Sequence, residues 1–301
     1  MPIMKQSFPL ERCDEIQAEP QRFRLLEQLP WDENTELPIL LSDPSDEDQY
    51  LILLDTETTG VDKLKDGIVE LGMLAVRYNP TTAKLVMIAD KFSELEDCGV
   101  PISPESEAIH GISQADVEGK AFDDDYIANW MSPASLVVAH NAGFDRAFFD
   151  RRFAQLGDKA WACSFFEMPW RDAGFESGKL EYLLYRNGYF YDGHRALTDC
   201  FAMAWLFYLQ PDLLKGLLTK SASRTVLVRA FGAPIEVKDV LKARGYRFDD
   251  GRTSGANKHW WKEVEEGGLM EERAFLDETY RDGANKAGYE HRDATKRHKL
   301  A

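Results

Sequence analysis

The sequence predicts an α/β fold, a mixed sheet flanked by helices, with a small α+β module after it. Three observations carry that expectation. Strand-like runs follow one another closely from residue 50, helical and strand-like segments alternate from there to residue 210, and the chain changes character after Lys220. The 301 residues leave room for one large domain and a small one, and an apolar fraction of 44% permits a real core.

Residues 1–49 are rich in proline and acid and end in LSDPSDEDQ, so they read as an N-terminal extension. Within it, Arg22 to Leu29 reads as a short helix packed on the main domain. YLILLD (50–55) is a short apolar run ending on an acid. IVELGMLAVRY (68–78) and KLVMIADKFSEL (84–95) are long enough for two more strands, and short connections favour antiparallel pairing. SQADVEG and FDDDYIANWM read as helices, with Ser113 and Asp123 as N-caps. SLVVAHN (135–141) is a buried strand. GFDRAFFDRRFAQLG (143–157) is a helix closed by Gly157, and KLEYLLYRNG (179–188) another that ends on glycine. RALTDCFAMAWLFYLQ (195–210) is apolar nearly all round, hence a buried helix, and Pro211 follows it. These elements make up a domain of residues 50–220. Residues 221–282 form the accessory module: TVLVRAFG is a strand, VKDVLKARG a short helix, and YRF and HWWKEV a hairpin around DDGRTSGANK. Residues 283–301 read as a flexible polar tail.

Composition excludes some classes and complicates another. No apolar run approaches the roughly 20 residues of a membrane span. The N-terminus lacks the charged start and apolar stretch of a signal peptide, so a cytoplasmic, membrane-free protein is expected. Cys13, Cys98, Cys163 and Cys200 show no CxxC spacing and read as free thiols rather than a zinc site. The net charge of −16 is awkward for phosphate binding. It is unevenly spread: residues 1–220 hold 20 Lys/Arg against 38 Asp/Glu, and residues 221–301 hold 16 against 14.

Four short stretches could carry chemistry. In DTETTG, Asp55 and Glu57 stand two apart at a strand end and so point to one side. Two carboxylates there repel unless a cation lies between them, and hard oxygen ligands suit Mg²⁺ or Mn²⁺. The plain alternative is a strand end with solvated acids. In AHNAGFDRAFFD, Asp145 falls in the first turn of a helix that follows a buried strand, which suits either the helix dipole or an active site. In HRALTD, Asp199 lies inside an apolar helix and needs compensation, which a metal ion or a hydrogen bond would supply. His194, five residues earlier, cannot share its face and belongs on the preceding loop. In AIHGIS, His110 taken alone is an ordinary core or surface histidine.

The ordered set is more specific than its parts. DTETTG, IHGI, HNAGFD and HRALTD resemble the motifs of the DEDDh (DnaQ-like) 3′→5′ exonucleases, a family that includes the proofreading epsilon subunit of bacterial DNA polymerase III. The resemblance covers roughly residues 50–210. A sister subclass carries tyrosine one position after the histidine; here that position is Arg195. The resemblance implies an RNase H-like fold and removal of nucleotides from 3′ ends with two divalent metal ions, Mg²⁺ or Mn²⁺. By the same resemblance, Asp55, Glu57 and Asp199 hold one metal, Asp55 bridges to a second, Asp145 supports that second ion, and His194 is the general base. Thr58, Ile109, His110, Asn141 and Phe144 would hold the terminal nucleotide. The expected partner is nucleic acid with a free 3′ end, DNA ahead of RNA, with a polymerase as a further candidate. An exoribonuclease shares these motifs, and a silent binding module would usually have lost one of the five residues. In the accessory module Tyr246, Phe248, Trp260 and Trp261 interleave with Lys242, Arg244, Arg247, Lys258 and Lys262. Either they form a stacking platform for single strands, or they are the core of a small domain with one tryptophan inside and one out.

Overall fold

A computed structural model describes residues 10–251 and 257–300. It begins with helix α1 (Cys13–Ala18) and two short strands, β1 (Glu27–Gln28) and β2 (Ile39–Leu40). Strands β3 (Gln49–Thr58), β4 (Ile68–Tyr78) and β5 (Leu85–Leu95) then form an antiparallel meander. Helices α2 (Pro104–His110), α3 (Gln114–Val117) and α4 (Asp124–Met131) lead to β6 (Leu136–Ala139) and α5 (Ala142–Arg152). Ser113 closes a capping box with Asp116 on α3, and Asp123 accepts from the Tyr126 N–H on α4, as the sequence suggested. Strand β7 (Trp161–Cys163), α6 (Leu180–Arg186), β8 (Tyr189–Phe190), α7 (Ala196–Leu209) and α8 (Pro211–Ala222) complete the unit.

The sheet order is β2-β5-β4-β3-β6-β7, with β6 and β7 parallel to β3. This is the mixed RNase H-like sheet that was expected. Alternation along β3 sorts its side chains. Leu51 and Leu53 face the layer of α7 with Cys200 and Phe201; Ile52 and Leu54 face the layer of α5 with Phe148 and Phe149. Helix α7 lies unusually close to the sheet because β4 carries a glycine there. A Cβ on Gly72 would stand 2.3 Å from the Leu197 nitrogen, so any other residue would push the helix away. Gly72 pairs with Asp55 across the strands. The buried Cys200 thiol fills the same contact, donating to the carbonyls of Leu53 and Gly72.

The second unit is an antiparallel sheet of order β10-β11-β9-β12. Its elements are β9 (Thr225–Phe231), α9 (Lys238–Ala243), β10 (Arg247–Asp249), β11 (His259–Glu265), α10 (Leu269–Thr279), α11 (Gly283–Lys286) and β12 (Gly288–Arg292). Strands β10 and β11 pair as the expected hairpin, though residues 252–256 of its turn lie outside the described residues. Val226, Val228, Trp260 and Leu276 form the core between the sheet and its helices.

Three expectations about the ends are corrected. Arg22 to Leu29 is not a helix: after a 3₁₀ turn at Pro20–Arg22 the chain extends, and β1 pairs in parallel with β8. The segment 1–49 is not wholly outside the core, since β2 pairs with β5 and Leu29 and Trp31 are buried against the α7 layer. The stretch 283–300 is not a loose tail. It supplies a strand of the second sheet, and Arg297, 1% exposed, donates to Glu167 and to the carbonyls of Lys220, Ser221 and Ser223. Backbone pairing and a buried guanidinium offset the chain entropy that polar composition alone would have left unopposed.

Candidate active site

Parity along β3 decides what meets at its end. Asp55 and Glu57 continue the odd face of Leu51 and Leu53, toward α7, which brings Asp199 in its first turn. One carboxylate oxygen from each of these three acids lies within 4.8 Å of the others. Thr56, between them, continues the even face toward α5. Its N–H and its hydroxyl both donate to Oδ1 of Asp145, at 3.1 and 2.9 Å. The close approach at Gly72 is what lets Asp199 come down beside Asp55. One strand end therefore collects four carboxylates from three elements.

These groups repel one another. Burial, then the charges of Asp145, Asp199, Glu57 and Glu70, push the Asp55 carboxyl well above the usual range. Burial, then Asp199 and Glu70, push Glu57 up to about 8. Asp145 is pushed up to about 7 by burial, which outweighs its two bonds from Thr56. Asp199 is raised by burial despite bonds from the Tyr191 hydroxyl, 2.8 Å, and the His194 N–H, 2.9 Å. Glu70 lies directly across the strands from Glu57, an unfavourable like-charge pair. Arg195 answers it, its Nη2 2.8 Å from Glu70 Oε1, and the Ala196 N–H at the start of α7 donates to the other oxygen. Among the described residues no Lys or Arg forms an ion pair with Asp55, Glu57, Asp145 or Asp199. Crowded, partly exposed carboxylates without a protein cation are a donor set for a hard divalent metal.

His194 lies on the loop before α7, exposed, with a left-handed φ of +68°. Asn141 is likewise left-handed at +87° and opens α5 with an exposed side chain. Such backbone in residues other than glycine is uncommon, and here it brackets the acids from both sides. Ile109 is exposed, and Phe144 is partly buried against Phe148. Thr58 and His110 are buried ties. The Thr58 hydroxyl donates to the Gly60 carbonyl. His110 accepts from the Ile112 N–H at Nδ1, leaving Nε2–H for the Thr58 carbonyl, and burial lowers its affinity for a second proton. Four participants were not foreseen: Thr56, Glu70, Tyr191, and Lys63, whose Nζ donates to the Gly143 carbonyl. Glu70 had a signal, an acid inside the apolar run IVELGM; the others depend on tertiary register.

Residues 52–207 match the family model described as exonuclease. A 96-residue stretch is 38% identical to exodeoxyribonuclease 10 of Escherichia coli K12, covering 32% of this chain and 39% of that protein. A 188-residue stretch is 27% identical to the PolC-type DNA polymerase III of Thermotoga petrophila, covering 58% of this chain and 13% of that protein. The chain thus spans only a small part of the polymerases it matches. A solved structure of exonuclease X in complex with 5′ overhanging duplex DNA superposes with a TM-score of 0.41 at 25% identity, over 56% of this chain and 99% of that one.

Proposed function

This chain belongs to the exonuclease family, and we propose that it is a metal-dependent 3′→5′ exonuclease acting on DNA, single-stranded DNA above all. The observation that carries the reading is the convergence of Asp55, Glu57 and Asp199 within 4.8 Å, beside Asp145 and inside the matched segment. Asp55, Glu57 and Asp199 would hold one Mg²⁺ or Mn²⁺ ion; Asp55 would also reach a second, which Asp145 supports. Bound there, two cations supply charge stabilisation for the attacking and leaving oxygens of the phosphodiester. The protein's own groups do the rest. Thr56 fixes one oxygen of Asp145, and Tyr191 and the His194 N–H orient Asp199. The His194 imidazole takes the proton of the attacking water. Ile109 and Phe144 offer apolar surface to the last base and Asn141 a polar group to its sugar, while Thr58 and His110 shape the floor. None of these reads a base edge, so sequence preference is weak. The resemblance to proteins named exodeoxyribonuclease and DNA polymerase supports DNA over RNA. The polymerase match also supports a polymerase as partner, which co-purification tests.

The test is trimming of 5′-labelled single-stranded DNA, and of RNA of the same sequence, with Mg²⁺ or EDTA, by the wild type and Asp199→Ala. A ladder shrinking from the 3′ end of the DNA, absent with EDTA and in the variant, is the expected result. Faster trimming of the RNA would replace DNA with RNA as substrate, and no trimming of either would overturn the reading.

A further inference from the structure

One large feature lies outside the nuclease reading. A cleft of about 710 Å³ separates the nuclease unit from the C-terminal sheet. Alternation along β9 and β11 explains its wall: Val226, Val228 and Trp260 turn to the core under α10, whereas Leu227, Arg229 and Trp261 line the cleft. Trp260 is thus the inner tryptophan and Trp261 the outer one. The opposite wall includes Lys63, Asn141, Gly143 and Phe166. Asn141 and Gly143 begin α5, two to four residues before Asp145, and the Lys63 ammonium lies within the electrostatic reach of that acid. One end of the cleft therefore opens beside the active site.

Its charge is opposite to that of the rest of the chain. Eight Lys or Arg line it against four Asp or Glu, while the whole chain has 36 against 52. Arg229 and Arg292 pair with Glu290, Lys262 with Glu272 and Arg297 with Glu167, so the basic character of the cleft rests on Lys63, Lys220, Arg247 and Lys299. Arg247 spans it. Its guanidinium carbon stands 5.2 Å from the ring centre of Phe166 on the nuclease side and 5.5 Å from that of Trp261 on the sheet side. Phe166 is 54% exposed, so its ring is open to a ligand in the cleft.

Resting on the nuclease reading above, we infer that this cleft is the track for a single-stranded nucleic acid whose 3′ end lies at Asp55. Phe166, Arg247 and Trp261 stack successive unpaired bases, and Lys63 and Lys299 meet the backbone phosphates. A basic groove interleaved with flat π-faces binds single strands without reading sequence, whereas paired bases keep their faces stacked and unavailable. A strand held by its last nucleotide must continue across the protein surface, and the predominantly acidic remainder repels phosphate.

The experiment uses the full chain, with Arg247→Ala, Arg247→Lys and Trp261→Ala beside the wild type. Binding of labelled dT20 is followed by anisotropy in EDTA. Trimming of a DNA 20-mer and a trinucleotide is followed in Mg²⁺, and melting temperature serves as the fold control. Loss of one stacking face should weaken dT20 binding about tenfold. KM on the 20-mer should rise by about the same factor, well beyond any change on the trinucleotide. Arg247→Lys, which keeps the charge without the flat face, should fall between wild type and Arg247→Ala. Arg247 is exposed, so its variants carry the test if Trp261→Ala misfolds. Folded variants that bind dT20 like the wild type, or that lose 20-mer and trinucleotide trimming equally, would overturn the cleft while leaving the nuclease standing. Weakened dT20 binding in a protein that trims nothing would do the reverse.

Discussion

The active site and the junction with the C-terminal segment both bury charge, and they are built in opposite ways. At the junction with the C-terminal segment, Arg146 is fully buried and donates to the carbonyls of Gly157, Ala294, Thr295 and Arg297 and to Asp150. Glu167, close by, has the bonds of Arg297 and the Cys163 N–H. Burial raises its pKa, but His298, that N–H and Arg297 together overcome it, and the carboxyl ends below its ordinary value. Glu57 at the active site has the same side chain but, among the described residues, no hydrogen-bonding or ion-pair partner; Arg195 offsets its repulsion only in part, and it is pushed up to about 8. Where the protein answers its own charge, the charge is structural. Where it leaves like charges facing one another, a ligand is needed to complete the arrangement.

The largest test of that contrast removes one charge from each place. Asp55→Asn should cost on the order of a thousandfold in trimming rate, since several kcal/mol of transition-state stabilisation depend on the metals. The same change should raise the melting temperature of the metal-free protein, because it removes repulsion. Trimming rate and thermal melting in EDTA check the two halves, and a lower melting temperature would mean that the acids stabilise the fold. Arg297→Met should do the opposite. It takes one partner from Glu167 and leaves the carbonyls of Lys220, Ser221 and Ser223 unanswered, and about 3–5 kcal/mol should be lost from unfolding in denaturant. A loss under about 1 kcal/mol would make the junction as loose as its polar sequence first suggested.

The contrast also explains what was legible. The period-2 pattern of β3 alone puts Asp55 and Glu57 on one side, and an acid inside the apolar run of α7 marks Asp199. The mixed sheet could be read because each core strand carries its own apolar signal. The supports could not. Thr56 reaches Asp145 across 89 residues and Arg195 reaches Glu70 across 125, so each depends on strand register and helix docking. The junction was hidden for the same reason: nothing in the sequence marks Arg146 as buried, and Arg297 falls in the stretch that reads as a tail. A polar side chain reports its burial only through its partner.

Metal and pH should sharpen the contrast further. Carboxyls raised in the folded state hold protons that the unfolded chain releases, so the associated stability is full below about pH 4.5 and is lost as pH rises through the folded values. With Asp145 at about 7 and Glu57 at about 8, the metal-free protein should melt lower at pH 8 than at pH 5. Mn²⁺ should offset that fall at pH 8, where protons are being lost from the acids and bound metal displaces the remainder, and do little at pH 5. Melting curves at the two pH values, with and without the metal, check this; an equal metal effect at both would place its binding elsewhere.

The smallest expected effect isolates one support of the acidic cluster. The Tyr191 hydroxyl donates to Asp199 Oδ1, and burial together with the nearby carboxylates raises its own pKa, keeping it a donor. Tyr191→Phe removes one hydrogen bond, about 1 kcal/mol or roughly fivefold in rate at neutral pH. The bond also lowers the proton affinity of Asp199. Without it the carboxylate gives up its proton later, and metal competes less well near neutrality. The defect should therefore shrink as pH or Mg²⁺ concentration rises, and the acidic limb of the rate profile should move to higher pH. A defect that stays constant across pH and metal would assign Tyr191 to packing alone, and burial and repulsion would then set the proton affinity of the cluster without the hydroxyl opposing them.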